Sequence, residues 1–491
     1  MKERTLLATF RQQLQRPVNE QQLLRLGHFS MFVMLLLSLY YYRERMLHFD
    51  TANYAFNVIV YEDFYTGFER YISYVYQLLP LLLIKLGASL PVVLMGYSAS
   101  YVLVFWLVYW LVSHAFDNRI VGLWLVFALT LTIRYKFYAP VGEVVNSIPL
   151  IALVFGWMSR PAERFAKLPA WLDVGIGIGL GSLLLSGHPF IVVSTAVVFG
   201  FHLFWNKQWA NPRFWLTAFG VAALLAWSFW PSGGQANYEA ERVGRLANMW
   251  ALLTNPGDFY ITDLLQRYWR RQYVLPTLIL LILLLDIGRQ KRWLGGLYSL
   301  LSLLAMLILV ASLHSYLGRP TYLMIDGYMT HLGLVFALPL VFHWGRTQRF
   351  WQFLLLVLLA GYSLHRIHAV SPYFTNREAI VQELVEKNTT AEEPKALIDY
   401  DVDLSFEQMW MDWALPYESL LLSSLDGPQA SRTVDVYYPH DDQWGSHFDD
   451  PNFFIGAGWL PAGYLNADEL PKRYFYLRPS LYRKPATFVG D

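Results

Sequence analysis

Asp50 lies in the segment of this chain that is richest in side chains able to do proton-transfer chemistry. The segment, residues 43–70, reads RERMLHFDTANYAFNVIVYEDFYTGFER and also contains the adjacent acids Glu62 and Asp63. A carboxylate can accept a proton from a reacting hydroxyl group. Together, the three acids could also hold a divalent metal ion through oxygen ligands. The alternative for Asp50 is structural, because Asp followed by Thr, Ala and Asn is typical of a capped helix start.

A second set of side chains could bind a phosphate group. They lie in the segments IRYKFYAPVGEVVNS, SGHP, RYWRRQY and SYLGRPTYLMIDGYM. Arginine binds phosphate through two parallel hydrogen bonds, and a glutamate among these cations could act as a second catalytic carboxylate or as a helix cap. Ordinary contact with lipid headgroups explains the cations equally well. The candidates are Arg134, Lys136, Glu143, His188, Arg267, Arg270, Arg271 and Arg319, and the last segment also contains Asp326.

Apolar segments of bilayer-spanning length must position these residues. Eleven are predicted as spans: 28–46, 91–113, 119–137, 143–159, 171–186, 189–205, 213–231, 273–288, 293–316, 329–345 and 350–366. Clusters of Lys and Arg recur in every second connection, and the positive-inside rule assigns those connections to the cytoplasm. Residues 1–27 are then cytoplasmic, with the first span retained as a signal anchor. Asp50 and the phosphate-binding candidates all fall on the outer side.

The apolar stretch 71–90 does not fit this count. An additional crossing there would invert every basic cluster downstream. Pro80, Lys85 and Gly87 interrupt the stretch, which favours a helix lying in the outer leaflet. The alternative is a segment that crosses the membrane, with a later weak span that does not cross. We therefore expect 11 to 13 transmembrane helices and a large first external loop, residues 43–90.

Composition supports a membrane protein and excludes several functions. Hydrophobic residues make up 55% of the chain and charged residues only 15%, which is unlike a soluble domain. Residues 1–366 contain 29 basic and 17 acidic side chains, whereas residues 367–491 contain 9 and 20. No basic soluble face exists to bind nucleic acid. The absence of cysteine excludes disulfides, thiolate metal sites and cysteine nucleophiles.

The region after the last span is predicted to form a small external α+β domain, residues 371–491. An amphipathic helix is expected around Ile380 to Val385, and ALIDYDVDL, RTVDVYYP and KRYFYLRPS are predicted strands. Its exposed aromatic residues could stack on sugars or could simply form a core. The acid-rich segment HDDQWGSHFDDP, residues 440–451, lacks the spacing of a calcium loop, which favours a solvated turn over a cation site.

The layout of the chain resembles the C superfamily of polytopic membrane glycosyltransferases (GT-C). The resemblance lies in HFDTANYAF around Asp50, QLLPLLLIKLG around Pro80 and YAPVGEVVNS around Glu143, and it covers the arrangement of residues 28–370. It implies that the acid of the first external loop acts at the catalytic centre and that the sugar donor is a polyprenyl phosphate or pyrophosphate. Asp50 stands alone where several branches of the superfamily have an Asp-Glu pair.

The expected function is thus transfer of a sugar from a polyprenyl-phosphate carrier to a glycan, lipid or protein acceptor. A bacterial inner membrane with a periplasmic C-terminal domain is the expected location. Two other classes remain open. One is a transporter or flippase for a lipid-linked substrate, against which the lack of repeated broken helices counts. The other is a non-enzymatic scaffold of an envelope assembly, in which Asp50 would be dispensable.

Overall fold

The computed structural model describes residues 19–66, 71–161, 163–188, 190–228, 244–314, 322–345, 350–399, 411–437, 450–456 and 464–484. Within these ranges the chain is mainly helical. The helices used below are α1 (Glu20–Tyr40), α2 (Phe49–Tyr61), α3 (Ser73–Lys85), α4 (Leu90–Trp110), α5 (Arg119–Thr130), α6 (Tyr135–Tyr138), α7 (Glu143–Asn146), α8 (Ile148–Met158), α9 (Ala170–Ser182), α10 (Ile191–Trp205), α11 (Pro212–Ser228), α12 (Tyr260–Gln272), α13 (Val274–Arg289), α14 (Trp293–Leu313), α15 (Tyr322–Pro339), α16 (Phe350–His368), α17 (Ser371–Asn388) and α18 (Leu415–Ser423).

Each of the eleven predicted spans overlaps at least one of these helices. Among the described residues, five helical segments are long and apolar enough to cross a membrane: Glu20–Tyr40, Leu90–Ala115, Trp293–Leu313, Ile325–Trp344 and Phe350–Asn388. Several others are apolar but shorter, including Ile191–Trp205 and Pro212–Trp227. The architecture is that of a helical membrane protein, and the count of 11 to 13 crossings stays a prediction.

The stretch around Pro80 forms α3, a helix of 13 residues. Thirteen residues extend about 20 Å along a helix axis, which is less than the roughly 30 Å of a bilayer core. One face is buried and includes Gln77, whose side-chain amide pairs with the backbone of Tyr65 at 2.8 and 2.6 Å. The opposite face exposes Val75, Leu78 and Leu82 at helical spacing. Helices of several proposed spans, such as α5 and α8, are shorter still. Length therefore does not decide whether this stretch crosses, and its place in the outer leaflet stays a prediction.

The chain divides into two compact units. We call the first the helical unit, which comprises residues up to 34, 104–136 and 142–367. The second, the mixed unit, comprises 35–103, 137–141 and the chain from 368 onward. The residues around Asp50 therefore share a unit with the C-terminal region. The sequence alone did not predict this association.

Two small sheets lie in the mixed unit. Strands β1 (Lys395–Asp399) and β2 (Thr433–Tyr437) pair in parallel, and β3 (Phe453–Ile455) pairs with β4 (Tyr464–Asn466) in antiparallel. Both β1 and β2, and the amphipathic helix α17, were predicted at these places. The predicted strand KRYFYLRPS is wrong, because its start closes a turn in which the N–H groups of Tyr474 and Phe475 both donate to the carbonyl of Pro471.

Candidate substrate site

Asp50 occupies the first turn of α2 in the mixed unit. Ten of the thirteen residues of this helix are buried, whereas Asp50 is partly exposed. His48 takes the N-cap position, so Asp50 is not the N-cap residue that the structural alternative expects. Burial, with the negative groups of Tyr61 and Asp50, raises the pKa of Tyr65 to about 12. The carboxylate thus lies close to a phenol that stays protonated at neutral pH.

The residue before Asp50 has a strained backbone. Phe49 has a φ of 53°, a left-handed conformation that is costly for a bulky side chain. Its N–H donates to Oε1 of Glu418 at 2.7 Å, and the guanidinium of Arg377 lies 4.2 Å from its ring centroid. Strained residues persist only where surrounding structure fixes them, and they concentrate at functional sites.

A buried ion pair holds Phe49 in this backbone conformation. Arg377 donates through Nε and Nη2 to the carboxylate of Glu418 at 3.0–3.2 Å. The two side chains are 2% and 0% exposed. Helices α17 and α18 of the C-terminal region therefore hold the start of α2, and with it Asp50. Sequence reasoning missed both residues, although Glu418 could have been noticed as a lone acid in the apolar run WALPYESLLL.

In the helical unit, a buried carboxylate organises the segment that bears Arg134 and Lys136. Helix α5 ends at Thr130, and the short helix α6 begins at Tyr135. Oδ2 of Asp326, which is fully buried on α15, accepts hydrogen bonds from the N–H groups of Arg134 and Lys136 at 2.9 and 2.8 Å. One carboxylate thus holds both cations, Arg134 before α6 and Lys136 in its first turn.

His188 belongs to a neighbouring buried polar group. Its Nε2 lies 3.4 Å from the hydroxyl of Tyr328, and its Nδ1 accepts from the N–H of Phe190 at 3.1 Å. On the same helix as Tyr328, His331 contacts the hydroxyl of Ser194 at 2.5 Å and a backbone carbonyl at 2.7 Å. These side chains are buried and satisfied, which suits rigid positioning.

Helix α12 presents Arg267 and Arg270 on an exposed face. Arg267 pairs with Asp263 one turn earlier. The opposite face buries Ile261 and Leu264. This apolar face joins one core with Val144, Phe190, Tyr273, Met306, Tyr328 and Leu332. The elements that carry the predicted phosphate-binding residues of the helical unit therefore share a single core.

An apolar cavity of about 220 Å³ lies beside this core, between α12, α13, α14, α15 and the residues that follow α5. Leu131, Thr132 and Tyr273 line it, and the lining residues Leu281 and Leu304 are exposed. Part of the cavity wall therefore reaches the surface of the helical unit. Its volume and apolar lining suit part of a lipid chain.

Arg366 of α16 does not line this cavity itself but contacts Leu131 and Tyr273, which do. It is 4% exposed, its Nη1 donates to the carbonyl of Leu131 at 2.7 Å, and its guanidinium lies 5.1 Å from the ring of Tyr273. Within the described part of the chain, its buried Nε and Nη2 have no hydrogen-bond partner. Unpartnered buried donors are costly, so this arginine is suited to an anionic ligand. Sequence reasoning missed Arg366, which lies at the end of the last predicted span.

Several predicted residues cannot be placed. Arg319 and most of the acid-rich segment 440–451 lie outside the described residues, as do the side chains of Glu143 and Arg271. Within the described ranges, no three His or acidic side chains are grouped to hold a metal ion. Glu62 and Asp63 are exposed at the end of α2. The described residues therefore provide no ligand set for the divalent ion considered with Asp50.

Comparison with known proteins yields no relative. No protein-family model, curated protein or solved structure matches the chain. The resemblance to the C superfamily of glycosyltransferases therefore depends on the layout and short segments described above.

Proposed function

We propose that this chain is an integral membrane glycosyltransferase that takes its sugar from a polyprenyl-phosphate-linked donor. The observation that carries the proposal is Arg366, a buried arginine that contacts Leu131 and Tyr273 of the apolar cavity lining. Among the described residues, two of its donors have no hydrogen-bond partner. A lipid phosphate combines the two chemistries that this arrangement would recognise: an anion for Arg366 and an apolar chain for the cavity.

The residues have separate roles in the proposed reaction. Asp50 accepts the proton of an acceptor hydroxyl group while that oxygen forms a bond to the anomeric carbon of the sugar. The bond between the anomeric carbon and the phosphate oxygen breaks, and the phosphate keeps the electron pair. Arg366 stabilises the negative charge of the leaving phosphate. Arg134 and Lys136, which the sequence predicted as phosphate-binding residues, contribute to the same stabilisation. Glu143, His188, Arg267, Arg270, Arg271 and Arg319 remain supporting candidates.

The experiment uses the full-length protein in liposomes with a panel of polyprenyl-phosphate-linked hexoses and pentoses. Release of free sugar to water reports donor cleavage without knowledge of the acceptor.

Asp50→Asn should abolish turnover while binding of polyprenyl phosphate persists. Arg366→Gln should weaken binding of polyprenyl phosphate by about tenfold, which corresponds to about 1.4 kcal/mol, and should leave binding of polyprenol unchanged. Arg289→Gln, an exposed arginine outside the cavity, is the matched control.

Full turnover by Asp50→Asn would overturn the role of Asp50. Equal binding of polyprenol and polyprenyl phosphate by the wild-type protein would overturn the donor class.

A flippase for a lipid-linked substrate is the second candidate, because the same cavity and Arg366 would also accommodate a lipid that is moved rather than cleaved. The buried His331 within the segment Ile325–Trp344 favours it to a degree, since polar groups inside spans often lie on transport paths. Movement of a fluorescent polyprenyl phosphate between leaflets, with no sugar release from any donor, would establish this function instead.

The proposal includes the predicted topology. The amino terminus is cytoplasmic, the chain crosses eleven times, and the C-terminal region is periplasmic in a bacterial inner membrane. Reporter fusions after residues 168, 290 and 388 test it. The first two should report the cytoplasm and the third the outside.

A further inference from the structure

A polar cavity of about 430 Å³ lies elsewhere in the helical unit, at the helix ends that the positive-inside rule assigns to the cytoplasm. We call it the Asp173 cavity. Its charged lining consists of Asp173 and three arginines, Arg160, Arg164 and Arg213. None of the residues proposed above to bind the sugar donor lines it.

Close packing of two helices creates the cavity. A Cβ atom on Gly177 of α9 would lie 2.7 Å from the Thr217 side chain of α11, and one on Gly181 would lie 2.3 Å from Val221. Small residues four apart allow two helices to approach this closely. The same register places Asp173, four residues before Gly177, opposite Arg213, four residues before Thr217. The salt bridge between Arg213 Nη1 and Asp173 Oδ2 is 3.3 Å long.

The charges of this cluster do not balance. Asp173 also pairs through Oδ1 with Arg160, so its two oxygens serve two arginines. Arg164, which is exposed, donates to the carbonyl of Ala115 at 3.0 Å. One carboxylate thus faces three guanidinium groups, which leaves two positive charges around the cavity.

Arg160 has capacity for a further ligand. Its side chain is 10% exposed and lies 3.8 Å from the ring centroid of Trp157. Its Nη1 donates to the carbonyl of Trp157, and Nη2 is taken by Asp173. Within the described part of the chain, its buried Nε has no hydrogen-bond partner. A buried donor without a partner and an excess of positive charge both favour an anion.

The surroundings identify the anion as part of a lipid. Phe165, Trp171 and Trp209 near the cavity are 39%, 74% and 50% exposed, and exposed aromatic residues concentrate at the level of lipid headgroups. Along α11, the exposed apolar side chains of Leu216 and Phe219 follow within two turns of Arg213. Acyl chains that extend from a headgroup bound at Arg213 would meet this apolar surface.

We propose that the Asp173 cavity binds the phosphate group of an anionic phospholipid. Arg160, Arg164 and Arg213 supply the hydrogen-bond donors, and the Asp173 carboxylate, which pairs with two of them, opposes the phosphate by its negative charge. The site is independent of the proposed glycosyl transfer.

Native mass spectrometry of the full-length protein in detergent tests this site, with phosphatidylglycerol, phosphatidylcholine and inorganic phosphate as probes. We expect one retained phosphatidylglycerol, bound about tenfold or more tightly than phosphatidylcholine. The pair Arg160→Gln and Arg213→Gln should lower phosphatidylglycerol affinity by about tenfold. Arg289→Gln, an exposed arginine on the same predicted side, should not change it. Binding of inorganic phosphate with no preference among the lipids would overturn the lipid assignment.

Two further variants separate a binding role from a structural one. Arg213→Lys retains the charge beside Asp173 but loses the two-pronged donor geometry, so affinity should fall while the melting temperature stays near that of the wild type. Asp173→Asn removes the only lining carboxylate among the described residues and should raise affinity for phosphatidylglycerol about threefold or more. If both variants bind the lipid as the wild type does, the cluster only joins helices and the proposal is wrong.

Discussion

The buried ion pair of the mixed unit and the Asp173 cluster of the helical unit use the same residue types to different ends. Arg377 and Glu418 are almost completely buried and satisfy each other, with the remaining capacity of Glu418 used by the N–H of Phe49. In the Asp173 cluster, Arg213 is 57% exposed and Arg160 retains an unused donor. A closed pair fixes backbone, whereas an open cluster keeps donors for a ligand.

The largest loss of stability is expected when the buried ion pair of Arg377 and Glu418 is broken. Glu418→Ala leaves the Arg377 guanidinium buried without a counter-charge, which costs about 3–5 kcal/mol. Equilibrium unfolding of the full-length protein in detergent measures it. Glu383→Ala, an exposed acid on α17, should change stability by less than about 0.5 kcal/mol. A loss below about 1 kcal/mol for Glu418→Ala would show that the pair is not the closed element we describe.

A second buried carboxylate of the mixed unit, that of Asp435, predicts that the free energy of unfolding depends on pH. Burial raises the pKa of Asp435 to about 8, with Asp412 adding repulsion. The folded state thus retains a proton that the unfolded chain loses near pH 4. Stability should fall as pH rises from about 4 to 8, by up to about 1.4 kcal/mol per pH unit, and this contribution should change no further above about 8.

Asp435→Asn should flatten this slope, as measured by unfolding at a series of pH values. The exposed Asp426→Asn serves as the control and should retain it. An unchanged slope in Asp435→Asn would contradict the raised pKa.

The open cluster should show weaker and more salt-dependent coupling. In a double-mutant cycle of Asp173→Asn and Arg213→Gln, the coupling free energy of unfolding should be less than about 1 kcal/mol, since Arg213 is largely exposed. Raising the salt concentration should reduce this coupling free energy further. The same cycle on Arg377 and Glu418 should respond little to salt. Equal salt dependence of the two cycles would remove the distinction between closed and open clusters.

The smallest effect is expected for the exposed helix α12. Arg267 and Asp263 form a solvent-exposed pair one turn apart, with side chains 52% and 57% exposed. Such pairs contribute about 0.3–0.5 kcal/mol. Arg267→Gln should therefore leave unfolding nearly unchanged, so that any loss of donor binding in this variant reports binding and not folding. A destabilisation above about 1 kcal/mol would mean that Arg267 has a structural role.

Local patterns determined most of the secondary structure. Long apolar runs predicted the positions of helices in all eleven proposed spans, because burial of apolar side chains in a bilayer or helical core follows directly from composition. Runs of β-branched and aromatic residues bounded by polar turns likewise predicted β1 and β2. KRYFYLRPS failed because a local hydrogen-bonded turn at Pro471 overrides its strand-like composition. The prediction of Asp50 near a helix start was correct, since this depends on adjacent residues.

Long-range pairing was decided only by the tertiary structure. Asp50 and Arg134 could be chosen from residue type and predicted side, but Glu418, Arg377, Asp326 and Arg366 gain their importance from partners far away in the chain. An acid or an arginine in an apolar run has the same local sequence pattern whether or not its polar atoms form hydrogen bonds in the fold. Burial and pairing depend on which helices meet in the fold. The sequence therefore determined the helices and the candidate charged residues. The tertiary structure decided which of these residues are buried in ion pairs and which keep hydrogen-bond donors for a ligand.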